Sequence, residues 1–462
     1  MNLRTKLLSA ALAAAAVGVS ATAHADFAAA LKDYNEGHYD TARTQFLALA
    51  ELGDCPSQFN LGAMALKGQG AAQDRGAGVG WLQAALSNGC RQQVGDKLAG
   101  LSASLNPEQA RAAAAILAQY GHDALQSQGV VSPNFECRGL VPASVHDTPA
   151  PEYPHVKAGE APEGIAITAF TIGVDGYARD PQVLLAVPDS AFAAAAVEAW
   201  LNSRFTPATR GGVAIESRLE AKLRFIGASG NLGSSPVYKA ALPAAAAGDP
   251  AAQYLVGLTA NEDSSLGIML ARSGQMLIDA ARAGNADAQY WIATQARATS
   301  ACHPQANGLV WLRHAAEGGN PAAQADYAAE LLRGTPTAAQ IAQAHTLLER
   351  AALSDNYYAR KHAVAMLASS PVEGVRDAAA ALSGAQKLLA GDIQSDPQMF
   401  EAAAAAYAAG KQYQAAVTQQ RSALNKAQAL GWNTAAMQQR LGAYRRDSPW
   451  VGDLYADAQG GR

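Results

Sequence analysis

Gly248-Asp249-Pro250-Ala251-Ala252-Gln253-Tyr254 returns as Gly284-Asn285-Ala286-Asp287-Ala288-Gln289-Tyr290 and again as Gly319-Asn320-Pro321-Ala322-Ala323-Gln324. The Asp/Asn position steps from 249 to 285, 320 and 355, intervals of 36, 35 and 35. Shortly before three of these blocks stand Asp279-Ala280-Ala281, His314-Ala315-Ala316 and Arg350-Ala351-Ala352, which read as helix endings. A period in the mid-thirties made of two alanine-rich segments predicts stacked helical hairpins, each burying its apolar face on its neighbours. The Gly-Asp/Asn-Pro element has a local task. Glycine closes one helix in a left-handed conformation, Asp or Asn caps the next, and proline suits its first turn.

The pattern also runs near the start of the chain. Gly53-Asp54-Cys55-Pro56-Ser57-Gln58 leads through Gly62, Gly68 and Gly70 to Trp81-Leu82-Gln83-Ala84-Ala85 and Asn88-Gly89, and Gly53 to Gly89 is again 36. This block resembles the Sel-one-like repeat, a relative of the tetratricopeptide repeat. Residues 27–52 and 399–430 are similar to plain tetratricopeptide halves, with Tyr34, Gly37 and Tyr39 matched in spacing by Tyr407, Gly410 and Tyr413. Helical arrays are expected over 26–125 and 239–446, with a polar tail over 447–462.

Between the arrays the texture changes. Residues 126–150 are rich in Pro, Ser, Gly and Val and read as linker, and a Gly/Ser linker is expected over 227–238. From Glu163 to Phe225 the period switches to two. Ile165–Val174 reads as a strand, Asp175-Gly176 as a turn, and Gln182–Val187 as a returning strand. Asp189 or Ser190 then caps a helix carrying Phe192, Ala196, Ala199 and Trp200 on one face. Ile215–Phe225 is the cleanest strand: Ile215, Leu219, Ala221, Leu223 and Phe225 face one way, and Glu216, Arg218, Glu220, Lys222 and Arg224 the other. The fold class is therefore α+β and multidomain, with helical-repeat solenoid segments flanking a strand-strand-helix-strand unit.

That unit, at 151–226, resembles the C-terminal domain of the TonB family. The resemblance is carried by Glu152-Tyr153-Pro154, Gly164, Val174-Asp175-Gly176, Phe192 with Ala195-Ala196, Arg204-Phe205-Thr206-Pro207-Ala208, Gly211-Gly212 and the closing strand. Ala193 departs from it, since the family usually has aspartate there. TonB also has a membrane anchor at its start and this domain at its end, whereas here the domain lies mid-chain. The resemblance implies that the last strand accepts an extended peptide as an added strand. Backbone groups on an edge strand supply the bonding, and side chains the selectivity. The residues assigned to this border are Ile215, Ser217, Arg218, Leu219, Ala221, Lys222 and Leu223. The competing reading makes the charges a solvated or protective face.

Arg4 and Lys6, an apolar run from Leu7 to Val19, and Ala23-His24-Ala25 predict a cleaved signal peptide over 1–25 and a periplasmic destination. Cleavage leaves 33 Lys+Arg against 39 Asp+Glu, a net charge of −6, and no basic stripe to replace nucleic-acid counterions. No later segment is apolar enough to span a membrane. Cys55, Cys90, Cys137 and Cys302 allow two disulfides in three connectivities. Cys55 and Cys90 stand at the starts of neighbouring repeats and suggest a pair, a spacing of about 9–10 Å between stacked repeats against a ~7 Å Cα limit opposes it, and pairing with Cys137 is equally open.

No nucleophile elbow, P-loop, HExxH or paired-cysteine metal site is present, and no cofactor is expected. His314 and His345 occupy different repeat positions. Gly76-Ala77-Gly78-Val79-Gly80 reads as a connection between helices rather than a dinucleotide loop. Tyr254, Tyr290, Trp291, Tyr327 and Tyr358 are candidate aromatics for a repeat surface, and equally for packing between hairpins. The sequence therefore points to a non-enzymatic adaptor for envelope proteins or extended peptides. Alternatives are a TonB-like component docking on outer-membrane receptors, and an exported envelope enzyme.

Overall fold

The computed structural model describes residues 26–95, 97–130, 139–154, 163–225, 232–298 and 308–455. The expected signal peptide lies outside these residues, as do Cys137 and Cys302.

The repeat chemistry is visible in the caps. Gly53, Gly248, Gly284 and Gly319 have φ of 80°, 93°, 99° and 92°. The next residues, Asp54, Asp249, Asn285 and Asn320, each accept a bond from the backbone N–H three residues on, at 2.7–2.9 Å. At the fourth site the cap is Asn356, bonded to the Ala359 N–H at 2.9 Å. The expected cap, Asp355, instead faces solvent and pairs with Arg360. Adding a residue between repeats shifts a cap without altering the stack. The repeat glutamine has an equally local role: Gln58, Gln289 and Gln324 donate to the carbonyls of Ala50, Ala281 and Ala316, at 3.1, 3.0 and 3.4 Å. Each thereby adds a second bond to a carbonyl in the last turn of the preceding helix, which also accepts the N–H of the repeat glycine.

In the later array the helices pair as Pro236–Ala246 with Pro250–Glu262, Leu270–Arg282 with Ala286–Ala298, Gly308–Glu317 with Pro321–Leu331, and Ala338–Leu353 with Tyr357–Ser369. Ala378–Leu389 with Pro397–Ala409 and Tyr413–Ala429 with Ala435–Tyr444 complete it. The first array is joined to it. Leu52, Leu125 and Val130 share a core with Tyr238, Leu277 and Trp311, and Arg313 pairs with Glu51 at 3.1 Å.

Gly76, Gly78 and Gly80 lie within the helix Arg75–Ser87, not in a connection. A Cβ on Gly78 would fall 2.6 Å from Leu66, and one on Gly80 2.8 Å from the Ala113 backbone. The glycines permit close helix contact. Cys55 and Cys90 are bridged, with Cα atoms 5.6 Å apart. The spacing argument failed because Cα atoms sit on cylinders of about 2.3 Å radius, so facing Cα atoms lie well inside the interaxial distance.

Between the arrays the chain forms β1 (Leu140–Val141), β2 (Ser144–Asp147), β3 (Gly164–Ile172) and β4 (Ala178–Val187), then a helix, Ser190–Leu201. After it come β5 (Arg204–Thr206), β6 (Ala208–Arg210), β7 (Val213–Ile215) and β8 (Ser217–Phe225). The principal sheet has the order β4-β3-β8, all antiparallel; β1-β6-β7 and β2-β5 form two small ribbons. Three expectations change. β1 and β2 fall within the stretch read as linker. The long final strand breaks at Glu216, its first part pairing with β6 and its second with β3. The tail is not purely polar, since Leu454 and Tyr455 are buried and the Gly452 N–H bonds the Ser369 carbonyl at 2.7 Å.

The central strand β3 is buried on both faces. Ala166, Phe170 and Ile172 pack with Phe192, Ala196 and Trp200 of the helix and with Phe205 and Phe225. Ile165 and Ile167 point the other way and join Tyr254, Leu258, Tyr290 and Trp291 of the later array. The sheet is thus enclosed between its own helix and the helical hairpins. Alternation in β3 places an apolar side chain on each of these two covers.

Candidate functional site

β8 ends the principal sheet. Among the described residues it is strand-paired on one side only, with Leu219 opposite Phe170, Ala221 opposite Thr168 and Leu223 opposite Ala166. Thr168 adds a hydroxyl bond to the Ala221 carbonyl at 3.2 Å. Ile215, Leu219, Ala221, Leu223 and Phe225 line the helix-side core, as their alternation implies, and Ser217 pairs with Ile172 at the strand's start.

The charged side of β8 lies against the later array, not in solvent. Glu220 accepts from the Trp291 indole at 3.1 Å and from the Gln295 amide at 2.5 Å. Burial pushes its carboxyl above the ordinary glutamate range, against the pull of Arg218. Lys222 donates to the Glu262 carbonyl and pairs with Asp263 at 3.1 Å, and Arg224 lies 3.6 Å from the same carboxylate. Arg218 reaches across the sheet to Gln182 on β4 at 3.0 Å. These charges join the sheet to the repeats. Their partners lie tens of residues away, so neither period nor composition could reveal them.

The five candidate aromatics are placed by the same enclosure. Tyr254 is buried and donates to the Leu184 carbonyl of β4 at 2.9 Å. Trp291 holds Glu220. Tyr290 and Tyr358 both donate to Asp326, at 3.1 and 2.9 Å, and Tyr327 packs half-buried between cores. Burial raises the hydroxyl pKa of Tyr254, Tyr290 and Tyr358 well above the ordinary value. Tyr254 and Trp291 therefore bond to the sheet, Tyr290 shares the core beneath it, and Tyr327 and Tyr358 pack between hairpins.

Sequence reasoning missed the opposite border altogether. At β4 the register shifts, and Asp180 (φ 51°) turns outward. It meets Lys361, fully buried on the helix Tyr357–Ser369, at 3.1 Å, and His362 at 3.0 Å. Lys361 also bonds Asp396 at 3.0 Å and Gln398 at 2.8 Å, and Tyr357 donates to Asp396 at 2.9 Å. The Asp180 carboxyl is held well below its usual range by Lys361 and His362, which outweigh a large desolvation penalty. Nearby, Arg179 lies over the Trp432 ring at 4.5 Å, and Glu198 accepts from the Gln394 and Ser395 backbone. A lysine within an otherwise alanine-rich helix was the available signal.

Two histidine–carboxylate clusters occur among the described residues. His38 with Asp33 and Glu36 is largely exposed, and His345 with Glu349 and Asp377 ties neighbouring helices at 3.5 and 3.7 Å. Both are explained as ion pairs. His314 is buried beside Glu51, at 3.5 Å, at the junction of the arrays.

The geometry defines an α+β domain whose principal sheet ends in an edge strand at each border, β4 and β8, both tied to the helical hairpins by side chains. Residues 149–226 match the family described as Gram-negative bacterial TonB protein C-terminal. Domains of that family are typically envelope-associated, non-enzymatic protein-interaction units. No curated protein and no solved structure matches the chain significantly. Among the described residues no helix is long and apolar enough to cross a membrane.

Proposed function

We propose that the chain is a periplasmic protein–protein interaction adaptor, exported by its first 25 residues, in which β8 takes an extended peptide of an envelope protein as an added strand. The observation that carries this reading is β8's position at the end of the sheet, with one strand partner among the described residues. An edge strand offers a row of backbone donors and acceptors that a peptide satisfies. The later array holds the domain by its opposite border and by the charged face of β8, so the backbone edge is presented from a fixed support. Fixing the edge beforehand lowers the ordering cost of binding. The family match favours one second reading, a component that docks on outer-membrane receptors.

A photo-reactive residue placed at Ser217 tests the proposal in cells, with Arg43 of the first array as a comparison site. Cross-linking of a discrete envelope partner at Ser217, lost in Leu219→Pro while the helical melting transition persists, supports strand addition. An unchanged cross-link in Leu219→Pro contradicts it. A receptor as the cross-linked species selects the second reading.

A further inference from the structure

A cavity of about 320 Å³ lies between β8 and the helices Pro250–Glu262 and Ala286–Ala298, lined by Arg218, Glu220, Asn261, Glu262, Trp291 and Gln295. Its charge can be counted. Lys222 and Arg224 are both engaged by Asp263, at 3.1 and 3.6 Å. Among the described residues the lining holds two carboxylates, Glu220 and Glu262, against one guanidinium, Arg218. That guanidinium spends one nitrogen on Gln182 and stands 3.8 Å from Glu220. Glu262 receives a single side-chain bond, from the Asn261 amide at 3.0 Å. Burial, and after it the charge of Glu220, push the Glu262 carboxyl upward against the pull of the Asn261 amide and of Lys222, so the two acids oppose each other's ionisation within a partly desolvated space. A cation placed between them relieves that repulsion and forms charge-assisted hydrogen bonds.

Strand geometry says where such a cation comes from. Residues directly opposite each other on neighbouring strands share a face, with Cβ atoms roughly 5 Å apart. A residue paired with Glu220 from the outer side of β8 projects toward the repeats, as Glu220 does. We infer that the strand added to β8 carries a lysine or arginine opposite Glu220, received between Glu220 and Glu262. This inference rests on the strand-addition reading and adds to it the selectivity of the site. The selecting groups come from both the domain and the repeats, so the array takes part in recognition as well as support.

The test uses the chain from Asp26 onward and fluorescein-labelled nine-residue peptides alternating threonine and valine, with lysine, glutamine or glutamate at the central threonine-side position. Fluorescence anisotropy should show the lysine peptide binding at least tenfold tighter than the glutamate peptide, with glutamine between. Moving the lysine one place, onto the valine face, should reduce binding to the glutamine level. Glu262→Gln should narrow the preference, and Glu262→Lys should reverse it. Equal binding of the three peptides overturns the cavity's role and leaves strand addition standing. A preference indifferent to both Glu262 substitutions, or to moving the lysine, also overturns it. If no peptide binds, strand addition and this inference fall together.

Discussion

At the β4 border a fully buried lysine, Lys361, sits between Asp180 of the sheet and Asp396 of the repeats, while at the β8 border the ties run through partly exposed Lys222 and Arg224 to Asp263. The first arrangement removes three charges from water, and deleting one member leaves the others stranded. The second leaves its cations partly hydrated, so each contact is weaker and more tolerant. Both strands are paired only with β3 among the described residues, but β4 has its Leu184 carbonyl capped by Tyr254. The β4 border is attached through the more deeply buried charges. The proposal that β8 accepts a strand rests on the weaker hold at the other border.

The most severe way to break this comparison is Lys361→Met. It uncovers Asp180 and Asp396 together, and should cost about 3–5 kcal/mol in urea unfolding followed by far-ultraviolet circular dichroism. A loss no larger than that of Asp263→Asn would make the two borders equivalent. Asp263→Asn removes the shared partner of Lys222 and Arg224 and should cost about 2 kcal/mol, in the range for hydrogen bonds to charged groups. Tyr254→Phe deletes the single bond to Leu184 and should cost about 1 kcal/mol by the same measurement.

Acidification separates the borders with the smallest effect. Asp180 is held below its ordinary value, so its contribution is present above the usual carboxylate range and is lost only as pH falls through the lowered value. Glu220 is raised, so its contribution is full below the ordinary glutamate range and falls as pH rises through the raised value. Urea midpoints at pH 7 and pH 5 should therefore show no loss from the Asp180 contact. Any difference between the chain and Glu220→Gln should shrink toward pH 5.

Much of this architecture could be read from the residues alone. Gly248-Asp249-Pro250 and its copies specify caps through backbone chemistry confined to a few positions, and the caps form as read at 249, 285 and 320 and one residue late at 356. The alternation of Leu219, Ala221 and Leu223 likewise assigns a buried face without knowledge of what covers it. What escaped depends on distance along the chain. Glu220 and Trp291 are separated by 71 residues and Asp180 and Lys361 by 181, and no local period records such meetings. An alternating charged face looks the same in sequence whether it meets water or a complementary surface. The ribbons β1-β6-β7 and β2-β5 were missed because strands of two to four residues carry too little period to register. The Cys55–Cys90 bridge stays open in the sequence because the spacing of helix axes does not fix the spacing of Cα positions.

Amide hydrogen exchange, resolved residue by residue across β3 and β8 in the chain from Asp26 onward, tests the central claim most directly. β3, paired on both sides, should be protected throughout, whereas β8 should alternate between slow amides bonded to β3 and fast ones facing outward. Uniform slow exchange along β8, matching β3, would show that its outer side is already satisfied and would contradict the proposal that it awaits a strand.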